Sequence, residues 1–261
     1  GDRLLVAGWS QPCTSILTPL ALSMSVDTGR FGEAGVHDGT FDWERYNWRC
    51  VTLEAGGATG DGRLFRIVAH GDQATLLGSG NGLSAFFRQP DPNASIANSA
   101  GNSTSDAFDT PDQLTEAPYT YTVQLGIDEG AFVRGILHSA RASNGDSGAL
   151  VPRGLAVGDD GEVLIAGQAG FAIDGRSFDG RPASGYEGAE AFALLLSADF
   201  SQRLRWEVYT AGPGGSAASA AALTSGRYAV AGSSSADLLV TDDALSSDRE
   251  GDTGFVLGFP R

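Results

Sequence analysis

Three side chains in this sequence have the types and the order that nucleophilic catalysis would need. Ser147 lies in NGDSGAL (144–150), and His70 and Asp109 precede it in the chain. A serine becomes a nucleophile when an imidazole within hydrogen-bond reach takes its proton and a carboxylate orients that imidazole. The GDSG letters fall, however, where an internal repeat puts a Gly/Asp-rich turn, and the last copy of that repeat has GGSAAS there. A turn accounts for these residues without chemistry, so no enzymatic activity is expected.

Carboxylates offer a second kind of chemistry. IDGRSFDG (173–180) and TDDALSSDREGDTG (241–254) hold Asp174, Asp179, Asp242 and Asp243 at close spacing. Calcium takes six to eight oxygen ligands, and loops of this composition could supply some of them. Neither segment fits an EF-hand or a nonapeptide calcium repeat, and turn-forming Asp is the competing explanation. Asp159 and Asp160 before Gly161 read as a hairpin turn. His37, His70 and His138 have no paired metal-binding spacing, and no Gly-rich phosphate loop opens a helix, so no cofactor beyond calcium is expected.

Aromatic residues cluster in two loop regions, with Trp43 and Tyr46 in one and Phe171, Phe178 and Tyr186 in the other. Trp43, Tyr46 and Tyr186 could form a ligand site, a glycan being one occupant; packing down over sheet edges is the alternative. The tryptophans, Trp9, Trp48 and Trp206 among them, otherwise read as sheet-packing residues. A Ser/Asn/Asp/Pro-rich insertion (86–118) reads as a surface loop, and its sequons at Asn93 and Asn102 are candidate glycosylation sites.

Cys13 and Cys50 are the only cysteines, too few for a metal cluster, and they flank strands expected to be neighbours. A disulfide between them would stabilise by ~3–4 kcal/mol and would place the chain in an oxidising compartment: extracellular, cell-surface or periplasmic. All 17 basic residues are Arg, against 32 acidic ones, for a net charge of −15. Such a surface repels phosphate backbones, which disfavours nucleic acid and anionic membranes as partners. No apolar run approaches the length needed to insert in a bilayer.

These residues sit on a repeating frame. Strand-like segments ending in glycine recur at 1–10, 71–81, 161–170 and 226–235. A second type follows each, at 19–29, 119–130, 191–201 and 254–261. A third appears at 46–57, 132–143 and 204–215, and a fourth, leading back to the first, at 63–71, 153–161 and 219–226. Short alternating apolar runs bounded by Gly-rich turns are strands, and no helical stripe persists. Quartets of strands that need a neighbour to cover both faces make the blades of a β-propeller. The expectation is therefore an all-β chain, residues 1–261 forming one propeller-like domain of about three and a half four-stranded antiparallel blades, part of a longer propeller chain.

The third copy carries a family likeness. NGDSGALVPRGLAVGDDGEVLIAG (144–167) and GAEAFALLLSADFSQRLRWEVYTAGPGGSA (188–217) resemble the SBBP-type bacterial β-propeller repeat, with Glu190 where that repeat has Asp. The likeness covers roughly residues 119–261. It implies a secreted or surface protein with a structural or binding role. GDSG also resembles the nucleophile segment of chymotrypsin-like proteases, but VAHGD around His70 lacks that family's flanking residues. The expected function is a non-catalytic structural or protein-interaction module, a subunit of a larger extracellular assembly with other protein chains as partners. The alternative is a carbohydrate-binding or enzymatic propeller using rim aromatics and carboxylates.

Overall fold

A computed structural model describes residues 3–13, 16–25, 62–80, 103–104, 119–127, 132–138, 140–141, 147–148, 150–170, 177–178, 181–182, 189–209, 215–235, 238–239 and 253–260. Every regular element among them is a β-strand. The chain divides into two compact units, Gly1–His138 and Ser139–Arg261.

In the first unit, β1 (Arg3–Cys13) and β2 (Ile16–Ser25) form an antiparallel hairpin. Then β3 (Gly62–His70), β4 (Gln73–Gly80), β6 (Tyr119–Gly126) and β7 (Phe132–His138) form an antiparallel meander in that spatial order. β5 (Ser103–Thr104), from inside the polar insertion, adds a short parallel strand against β7. So the insertion is not wholly loop: part of it returns to the sheet edge.

The second unit begins with the two-residue pair β8 (Ala140–Arg141) and β9 (Ser147–Gly148). β10 (Leu150–Val157), β11 (Val163–Ala169), β14 (Glu190–Leu196) and β15 (Arg203–Val208) form a second meander. β12 (Ser177–Phe178) pairs in parallel with β15 and antiparallel with β13 (Arg181–Pro182). β16 (Ser216–Leu223), β17 (Arg227–Ser234) and β18 (Thr253–Pro260) make a three-stranded antiparallel sheet. The strand expected at 46–57 lies outside the described residues.

One register recurs in all three larger sheets. The hairpins β3–β4, β10–β11 and β16–β17 each carry a bulge, at Phe65, Arg153 and Ser219. Beside each bulge, Gly78, Gly167 and Gly232 face an aromatic residue on the next strand, Tyr121, Phe192 and Phe255. A Cβ on Gly232 would lie 2.7 Å from the Phe255 ring, and one on Gly167 2.9 Å from the Phe192 ring. A Cβ on Gly78 would overlap the Tyr121 ring, and at all three sites a carbonyl oxygen of the partner strand also blocks it. The sequence pattern suggests that these glycines end their strands. Instead each strand runs on, to Gly80, Ala169 and Ser234, because the cross-strand ring covers the bare backbone.

Within each unit the later sheet lies face-on against the earlier. β3 packs on β1 and β2, and Leu64, Leu76, Tyr121 and Val123 form a core against which Leu5 and Ala7 pack. β16 packs on β10, β11 and β14, closing a core of Leu164, Ala166, Ala191, Ala193 and Leu195 against Tyr228, Val230, Phe255 and Phe259. The approach is close enough that a Cβ on Gly154 would stand 2.9 Å from the backbone at Ala220–Ala221. With both faces covered, β14 is buried along its whole length, which is why EAFALLL reads as a continuous apolar run rather than an alternation.

Candidate functional site

Inside the second core sits a charged residue that the fold excludes from water. On β15 the side chain of Glu207 shares a face with that of its cross-strand partner Ala193, so it points between the two sheets and is 0% exposed. One carboxylate oxygen accepts a short hydrogen bond from the Tyr228 hydroxyl of β17, in the facing sheet. The other accepts from Arg205 Nη1 at 3.3 Å, with Arg205 reaching in from the partly exposed end of its strand. An ionised carboxylate in an apolar core costs several kcal/mol unless it is paired and hydrogen-bonded, and this pair of partners supplies both.

Aromatic rings surround the group. Tyr209 and Tyr228 both stack on Phe259, at centroid distances of 5.8 and 5.3 Å. Phe178 meets Tyr209 and Phe259 edge-on at 6.2 and 5.8 Å. Such contacts are worth ~0.5–1.5 kcal/mol each beyond the area they bury. Burial, then the bond to Glu207, holds the Tyr228 hydroxyl far above the ordinary tyrosine range. Burial likewise raises Tyr209, with the charges of Tyr228 and Glu207 adding to the effect. Among the described residues the Tyr209 hydroxyl has no hydrogen-bond partner at proper geometry, although Tyr228 lies close enough to bear on its ionisation. The whole arrangement is a sealed polar tie between two sheets. Its chemistry is adhesion; the carboxylate is closed to substrate.

A second polar cluster caps the β14–β15 turn in the open. Asp199 accepts from Ser197 Oγ and Ser201 Oγ, both at 2.7 Å, and from the Ser201 amide at 3.0 Å. These bonds, Ser197 first, hold its carboxyl below the usual range. They fix a turn in which Phe200, at φ 60°, tucks its ring into the core.

The residues singled out by chemistry fall as follows. His70 ends β3, opposite Gln73 in the first unit, whereas the Ser147 backbone pairs with Arg141 in the second. Asp109 and the Ser147 side chain lie outside the described residues. So do Asp174, Asp179, Asp242, Asp243, Trp43, Tyr46, Tyr186, Asn93, Asn102 and Cys50. The Cys13 backbone pairs with Ile16, but its side chain is not described. Among the described residues, no three of His, Cys, Asp and Glu converge as metal ligands. Asp159 and Asp160 form the expected turn, closed by the Gly161 amide on the Gly158 carbonyl, with Gly161 at φ 85°. Trp206 is buried, stacked on Phe192 and covered by the Arg203 guanidinium at 4.1 Å. Phe178 packs inward in the aromatic cluster. His138 is buried too, its Nε2 3.0 Å from Thr122 Oγ1.

Sequence reasoning passed over Glu207. A signal was present: in WEVY (206–209) a lone charge stands among residues that are all buried, and its neighbour on the same face of the strand, two positions on, is the aromatic Tyr209. No protein-family model matches the chain, and no curated protein matches it.

Proposed function

We propose that this chain is a segment of a propeller-type stack of β-sheets that serves as a non-catalytic structural or protein-interaction module, secreted or at the cell surface, within a larger extracellular assembly. The observation that carries this reading is the recurring register of bulge, glycine and cross-strand aromatic, together with the way that, inside each unit taken by itself, the later sheet lies on the earlier. Units that repeat to the residue and cover one another are the construction principle of propellers and solenoids. The likeness to the SBBP-type repeat over roughly residues 119–261 supports the same reading. The most conspicuous polar group in the described core, Glu207, is committed to holding sheets together rather than to a cleft. The acidic, Lys-free surface fits an exported protein that must stay soluble.

Surface exposure and partnership are tested together on intact cells. Trypsin shaving should release peptides of this chain, all ending at Arg, because there is no Lys to cut at. Carboxylate-directed cross-linking, which exploits the 32 acidic residues, should then join it to other extracellular proteins. Recovery of the chain only after cell lysis would defeat the surface assignment. Labelling of Ser147 by a fluorophosphonate, or glycan-array binding lost in Trp43→Ala, would replace the module reading by an enzymatic or carbohydrate-binding one.

A further inference from the structure

Two loops of unlike length end on the same rung of their sheets. In the first unit the chain between β4 and β6 sends β5 (Ser103–Thr104) back to pair in parallel with β7. In the second unit the chain between β11 and β14 sends β12 (Ser177–Phe178) to pair in parallel with β15. The glycine under its aromatic ring gives both sheets a common register mark. Gly78 opposes Tyr121, the next residue Thr122 opposes Ile136, and Ile136 pairs with Thr104. Gly167 opposes Phe192, the next residue Ala193 opposes Glu207, and Glu207 pairs with Ser177. Each strap therefore brings a hydroxyl residue to the same position of the same strand, although one arrives through residues 81–102 and the other through 170–176.

What the straps cover decides their use. Without β5 and β12, the strands β7 and β15 would be the last of their meanders. An edge strand offers a row of backbone donors and acceptors, a template for any extended segment. Both strands are rich in the branched and aromatic residues that favour pairing, FVRGILH in β7 and RLRWEV in β15. On β12 the Ser177 hydroxyl also donates to the Trp206 carbonyl at 3.3 Å, and the Phe178 ring is anchored edge-on by Tyr209 and Phe259. A backbone rung for affinity and a seated side chain for selectivity are the parts by which an extended peptide is held in strand addition. A parallel neighbour cannot be supplied by a tight turn, so a long crossing loop is what this landing requires.

We propose that the outer edges of β7 and β15 are acceptor sites for extended peptide running parallel to the strand, and that β5 and β12 are the chain's own occupants, which keep segments of other proteins off. The inference uses pairing inside each sheet alone and stands whether or not the sheets belong to a propeller.

Refilling an emptied edge tests it. Ser177→Pro/Phe178→Gly takes an amide and the anchoring ring from one strap, and Thr104→Pro takes an amide from the other, in the first unit. Fluorescein-labelled peptides of residues 171–182 and 98–109 are then titrated with the full-length proteins and read by anisotropy. Each peptide should bind the matching variant at least about tenfold more tightly than the wild type, whose tethered strap competes at high effective concentration. The same peptides carrying Ser177→Pro or Thr104→Pro should lose that binding, because they fill space without pairing. Equal binding to wild type and variant, no binding to a variant that keeps its fold, or binding undiminished by proline in the peptide each overturns the proposal. If the first variant fails to fold for want of the ring, Thr104→Pro alone decides. Unfolding of that variant as well would make the straps staples that the fold cannot lose, and would overturn the guarding role.

Discussion

At the residue scale, the two buried tyrosines beside Glu207 make an internal control for each other. Among the described residues, the Tyr228 hydroxyl donates to a carboxylate whose one other partner is Arg205, whereas the Tyr209 hydroxyl has no partner of proper geometry. Tyr228→Phe should therefore destabilise by ~1–3 kcal/mol in urea titrations, because it strands a buried carboxylate oxygen. Tyr209→Phe should be neutral or mildly stabilising, because it removes a hydroxyl that was desolvated without return. The same pair governs alkaline behaviour. Both hydroxyls hold their protons in the fold at a pH where the unfolded chain, titrating near pH 10, gives them up. Their contribution is complete below that pH and drains away as pH rises through and beyond it, since the unfolded state then binds fewer protons than the native one. Denaturation midpoints measured from pH 8 upward should fall above about pH 10, and less steeply in the Tyr228→Phe variant.

At the element scale, the decisive device is the bulged hairpin with its glycine under an aromatic ring. Gly167→Ala and Gly232→Ala would each push a methyl into a carbonyl oxygen and a ring that have little room to retreat. Overpacking of this kind costs about 1–3 kcal/mol, and chemical denaturation should show it for both, against no comparable loss for Gly226→Ala, where a Cβ meets nothing within 4 Å. Much of this level was legible in the sequence. The expected segments at 71–81, 161–170 and 226–235 contain β4, β11 and β17, and each pairs with the segments read before and after it. Alternating apolar residues and Asp-Gly turns are local signals, and these strands obey them. The ring over the glycine was not legible, because it depends on cross-strand register across intervening chain, as with Gly78 and Tyr121 on either side of a long insertion. Glu207 was hidden for a related reason: its partner Tyr228 belongs to another sheet, and nothing near either residue announces the other. The inward turn of Phe178 likewise follows from the β12 pairing with β15, which a two-residue strand barely marks in sequence.

At the scale of the whole molecule, charge opposes contact between copies. Each carries a net −15, so two molecules approach one another against their own repulsion. Screening shortens the reach of that repulsion to roughly 10 Å at 0.1 M salt and less above it. Raising NaCl should consequently weaken the repulsion between molecules, read in static light scattering as a second virial coefficient that falls as salt rises. The absence of Lys sharpens the picture, since the 17 cations are guanidinium groups; one of those described, Arg203, sits over a tryptophan ring and another, Arg205, turns inward to Glu207.

The bulge shared by β3–β4, β10–β11 and β16–β17 has a consequence for how such a chain can change. Because the offset falls at the same place in each hairpin, a genetic crossover between any two of them would join halves that still mesh. Its products would gain or lose material in whole sheets, never in fractions, and the splice point would be invisible to the hydrogen-bond ladder. Lengthening by duplication is thereby available to this architecture without any relearning of its folding code.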